Sequence, residues 1–108
     1  MKKPKPVTEL QQQRWLQQLA TLLRAGIALH PALSLLNLQG TVSQRVYWQP
    51  VIAGIEQGQG FAETLQGLPG FRRSDVQLLA VAERSGQLDQ QVQRLANWQA
   101  RRVQLHGQ

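Results

Sequence analysis

A chain of 108 residues and 12.2 kDa fits one compact domain and leaves little room for a second. Its 42% hydrophobic and 17% charged residues exclude a disordered polymer, a collagen-like repeat and a coiled-coil rod, and the lack of cysteine excludes disulfides, thiolate zinc sites and thiol nucleophiles. Twelve Lys and Arg against six Asp and Glu leave a formal charge of +6, half of that excess from Lys2, Lys3 and Lys5.

Residues 1–7 form a basic segment that Pro4 and Pro6 keep extended, and no apolar stretch follows it as a signal peptide would require. The helical domain is expected over 8–106. Thr8 and Gln11 have the spacing of a capping box, and Leu16, Leu19, Ala20 and Leu23 recur at helical spacing, with Trp15 and Leu22 widening the stripe. A first helix is predicted over 9–25, ended by Gly26 in a left-handed turn. Pro31 suits the first turn of a second helix over 31–39, whose Leu33, Leu35, Leu36 and Leu38 make it apolar on more than one side and predict its burial.

The stretch 43–57 carries Val46, Trp48, Val51, Ile52 and Ile55, and Pro50 within it predicts a kinked or two-piece helix. Gly58 and Gly60 bracket a turn before a short helix over 61–65, which Gly67, Pro69 and Gly70 stop. Ser74 and Gln77 repeat the capping-box spacing and predict a fifth helix through Arg84, closed by Gly86. A sixth over 88–105 sets Val92, Leu95, Ala96, Gln99 and Val103 on one face. No stretch alternates as a strand does. The fold class is therefore all-α, a compact bundle of about six helices. The 19 glutamines, interleaved with leucine at helical spacing, read as uncharged solvent faces of these helices. The longest apolar run, 78–82, falls far short of the roughly 20 residues that cross a bilayer.

Three motifs in order carry a resemblance. They are Gln18-Leu-Ala-Thr-Leu-Leu-Arg-Ala-Gly-Ile27, then Gly58-Gln-Gly-Phe-Ala-Glu-Thr-Leu65, then Ala82-Glu-Arg-Ser-Gly-Gln-Leu-Asp89. Together they resemble the cytoplasmic domain of the inner-membrane platform proteins of bacterial type II secretion and type IV pilus systems. This chain has Ala82 where the family commonly has glycine, and Gly60-Phe61 where it has Ser-Leu, changes that keep turns and apolar positions. The resemblance implies a non-catalytic scaffold on the cytoplasmic face of the inner membrane. Its implied partners are other assembly subunits, the assembly ATPase and a second copy of itself. It also implies that residues 8–106 are one fragment of a larger, membrane-anchored protein.

The residues themselves offer little for catalysis. His30 and His106 lack metal-ligand spacing and read as loop or terminal residues, and no glycine is followed by Lys-Ser/Thr as a phosphate loop demands. No metal or cofactor is expected. Ser34, Ser43, Ser74 and Ser85 show no triad pattern, and Ser74 reads as a cap. Glu83 falls on the apolar stripe of the fifth helix, where an ionised carboxylate needs partners. It is expected to bond amides around 85–88 or an arginine and so hold the joint of Ser85, Gly86, Leu88 and Asp89. A contact to a partner subunit, or with Asp89 a weak hard-cation site, are the other readings. Trp15, Trp48 and Trp98 are candidate core or subunit-interface aromatics. With Arg14, Arg45, Arg94 and Arg101 they also permit a second function class, a small basic nucleic-acid-binding or regulatory domain. The apolar second and fifth helices speak against a recognition helix.

Overall fold

The computed structural model describes residues 7–105. Most of the extended segment expected over 1–7, with its three lysines, lies outside the described residues, as does His106. Six helices follow in order: α1 Glu9–Arg24, α2 Leu29–Gln39, α3 Val42–Glu56, α4 Phe61–Leu65, α5 Arg73–Arg84 and α6 Leu88–Leu105. No strand is present among the described residues.

The local signals act where short-range chemistry suffices. Thr8 and Gln11 form the reciprocal box that opens α1, with bonds of 3.0 and 3.1 Å. Gly26 ends that helix at φ 91°, while the Gly26 and Ile27 amides return to the Leu23 and Leu22 carbonyls. That pairing is a Schellman turn, and it needs a residue free of the left-handed penalty.

Three expectations need correction. Helix α2 begins two residues before Pro31, which costs nothing because the first helical amides have no intrahelical partner. Nor is α2 wholly buried: Ala32, Leu33 and Leu36 enter the core, whereas Leu35 and Leu38 are exposed. Helix α5 starts at Arg73, so Ser74 lies inside it and caps nothing; Arg72 precedes it and pairs with Asp75 across the first turn at 3.2 Å.

Helix α3 runs through Pro50 as one element, opened by a Thr41–Gln44 box that mirrors the one on α1. The two-piece alternative does not hold. Pro50 cannot donate to the Val46 carbonyl, and both residues are on the exposed side of α3, where the lost bond costs least.

Helix α1 packs along α6 and against α2, α2 against α3, α3 against α4, and α5 against both α4 and α6. Trp48, Tyr47, Phe61, Leu16, Leu19, Leu33 and Leu79 fill the centre without measurable exposure beyond 1%. The predicted α6 stripe of Val92, Leu95, Ala96, Gln99 and Val103 is buried in full. A radius of gyration of 13.0 Å is that of a well-packed chain of this length.

Candidate functional site

The α5–α6 joint gathers the residues singled out from the sequence. Gly86 adopts φ 74°, and the Gln87 amide bonds back to the Ala82 carbonyl at 2.8 Å, so the chain reverses directly from α5 into α6. Ser85 donates its hydroxyl to the same carbonyl at 3.2 Å. Leu88 is half-buried and packs on the core, while Asp89 sits in the first turn of α6, where its charge favours the helix dipole.

Glu83 does not bond the amides of 85–88, nor an arginine. Its carboxylate reaches across to α4 and accepts from the Phe61 amide at 2.5 Å and the Ala62 amide at 3.3 Å. These are first-turn donors of a helix whose preceding residue, Gly60, has no side chain to cap with. A Cβ on Gly60 would stand 3.0 Å from the Glu83 carboxylate, so the glycine keeps room for a cap supplied from 21 and 22 positions away in the chain. The structural role expected of Glu83 thus has other partners than expected. Among the described residues no cluster of three or more His, Asp or Glu could hold a metal ion.

The tryptophans separate. Trp15 and Trp48 stack face to face, centroids 3.5 Å apart and planes 4° apart, and are 6% and 1% exposed. They belong to the core of one chain, which corrects their candidacy as interface aromatics. Their burial also removes two of the three rings on which a nucleic-acid stacking surface would rest. Trp98 alone reaches the surface, 36% exposed, between the guanidinium groups of Arg72 and Arg102 at 5.4 and 5.9 Å from its ring. His30 lies in the first turn of α2, not in a loop, and meets Glu56 at 2.9 Å on the surface.

A buried polar network went unnoticed in the sequence. Gln12 donates to the Tyr47 hydroxyl and the Gly70 carbonyl, Gln99 donates to Gln12, and Tyr47 donates to the Pro69 carbonyl. It ties α1, α3 and α6 to the turn before α5. The available signal was Gln99, a polar residue on an otherwise apolar stripe. Burial pushes the Tyr47 hydroxyl up to about 12, against a smaller lowering by the Gln12 bond.

The sequence that builds this bundle matches known proteins. The family model described as type II secretion system protein F matches residues 15–108. The chain belongs to the type II secretion system protein F family. Within that family it is similar to the type 4 fimbrial assembly protein PilC of Pseudomonas putida, 36% identical over 92 residues that cover 83% of this chain and 23% of that protein. It is equally similar to the type IV pilus assembly protein PilC of Thermus thermophilus, 36% identical over 92 residues, 84% of this chain and 23% of that protein. The chain thus spans about a quarter of the length of the curated relatives it matches. Among the described residues no helix is long and apolar enough to cross a membrane.

Proposed function

We propose that this chain is a non-catalytic scaffold module of a platform protein for type IV pilus assembly or type II secretion. It lies on the cytoplasmic face of the inner membrane, binds other assembly subunits and transmits motion from the assembly ATPase. The match to the protein F family over residues 15–108 carries this reading, and the names of the two PilC relatives support the pilus side of it. A carboxylate of α5 that caps α4 ties neighbouring helices together, as a scaffold module requires.

Self-association is part of the proposal. Helices α2 and α3, which pack together, leave Leu35, Leu38, Val42 and Val46 exposed at 44%, 77%, 68% and 55%. Apolar side chains so placed favour a contact between copies. Light scattering over a concentration series should give a dimer that Leu38→Asp converts to monomer; a strict monomer at high micromolar concentration overturns that part. The ATPase part is tested by co-purifying the full-length platform protein with the assembly ATPase of the same organism. Co-elution is expected, and its absence in membranes where both are intact overturns the coupling.

A further inference from the structure

The charge of the chain is concentrated at one end of the bundle. Helix α6 runs antiparallel to α1, as the contacts Glu9 to Arg102, Gln12 to Gln99 and Gln17 to Gln93 require, and antiparallel to α5 across the tight Gly86 joint. The starts of α1 and α5 and the end of α6 therefore share one pole. Arg72, Arg73, Arg101 and Arg102 stand there, and Lys2, Lys3 and Lys5 precede Val7 by at most five positions in the sequence. The acids of this pole are Glu9, paired with Arg102 at 3.0 Å, and Asp75, paired with Arg72 at 3.2 Å. Seven of the twelve cations and two of the six acids thus belong to it, and with them five of the six excess positive charges.

The same pole exposes apolar surface. Trp98, Arg102 and Leu105 follow one another at helical spacing and share a face of α6, with Arg101 beside them. Leu105 is 82% exposed, more than any other large apolar residue described. Trp98 is partly exposed, with the guanidinium groups of Arg72 and Arg102 at 5.4 and 5.9 Å from its ring. Arg73 and Arg101 are exposed and make no ion pair among the described residues.

We infer that this pole lies against an anionic phospholipid surface, its arginines among the headgroup phosphates and Trp98 and Leu105 at the boundary of the acyl chains. Charge complementarity selects an anionic partner, and the apolar groups select among anions. Duplex DNA or an acidic peptide would meet the cations and leave Leu105 in water. A bilayer interface takes arginine, indole and leucine side by side, the composition of a helix that lies on a membrane without crossing it. The inference deepens the platform reading and rests on it for the presence of a bilayer. Vesicle binding and co-purification with the ATPase are separate measurements, so either can fail alone.

The test is a titration of the chain with vesicles of equal parts phosphatidylglycerol and phosphatidylcholine, followed by cosedimentation and tryptophan emission. Binding is expected with a blue shift and shielding from acrylamide, both lost in Trp98→Phe; Trp15 and Trp48, buried in the core, give an unchanged background. Arg73→Gln and Arg101→Gln should each weaken the affinity about fivefold and together about twenty- to thirtyfold, with the parental thermal melt. Arg24→Gln with Arg84→Gln, at the opposite pole, should leave it unchanged. Four results would overturn the inference: equal binding to pure phosphatidylcholine, binding without a shift of Trp98, an equal loss from the two pairs of arginines, or an affinity for duplex DNA that matches that for the mixed vesicles.

Discussion

At the α5–α6 joint the Glu83 carboxylate is met by two amides of α4, and every turn donor there closes on a carbonyl of the same chain. Between α1 and the end of α2 the Trp15 N–H and the Asn37 oxygen are buried and meet no partner among the described residues. Both regions place polar groups against apolar surroundings, yet one is internally complete and the other is not. Polar groups that close on their own chain hold the fold, and their loss is read in stability. Polar groups buried without a partner cost the fold their uncompensated desolvation. The Gln12–Tyr47–Gln99 network is closed except at the Gln99 Oε1, which is buried without a partner.

The largest effect expected of a closed group comes from Tyr47, the only tyrosine. Below pH 10 its hydroxyl is protonated folded and unfolded, and it adds no pH dependence. From 10 to about 12 the unfolded chain releases a proton that the folded chain keeps, so stability falls as pH rises. The loss attributable to this group is about 2–3 kcal/mol once pH passes 12. Denaturant midpoints for the parent and Tyr47→Phe, compared over that interval, should converge; parallel curves would move Tyr47 out of the closed class.

Glu83→Ala comes next, at about 2 kcal/mol, since two amides at the start of α4 lose a charged acceptor. Its thermal melt is the check, together with exchange of the Phe61 and Ala62 amides, which should lose protection. A variant of parental stability that failed to bind an assembly partner would take Glu83 out of the closed class. Gly86→Val should cost about 1–2 kcal/mol through backbone conformation alone, because φ is 74° and no atom lies within 4 Å of the added Cβ. Gly86→Asn should recover part of that loss, and equal melts for valine and asparagine would contradict a left-handed origin.

Smallest is Asn37→Leu, which removes the orphan acceptor at similar size. Its stability should change by less than about 0.5 kcal/mol or rise, because no hydrogen bond is lost. A destabilisation above about 1 kcal/mol would mean that the Asn37 oxygen has a partner in solution and that the contrast between the two regions fails.

Much of the architecture was readable without coordinates. The six helices, the Thr8 box, the left-handed turns at Gly26 and Gly86 and the buried α6 stripe each depend on residues within a few positions of one another, the range over which capping and periodicity act. The errors lie where a local signal had a competitor. Ser74 offered a cap, but the helix reached back to Arg73 with Asp75 in its first turn. Four leucines predicted a buried α2, but a single neighbouring layer covers only part of its circumference and leaves Leu35 and Leu38 outside.

The sequence by itself determined the fold class, the order of the helices and the family, because these reside in spacing along the chain. It also marked Glu83 as a carboxylate in need of partners. Only the tertiary structure decided which partners: the amides it meets lie 22 and 21 positions earlier, and no periodic pattern encodes that approach. The same holds for Trp15, whose sequence neighbours could not reveal that one face of its ring would be sealed by Trp48 while its N–H is buried without an acceptor. Hydrogen-bond satisfaction is a property of surroundings assembled from distant segments, so spacing along the chain cannot separate the satisfied polar groups of this protein from its buried orphans.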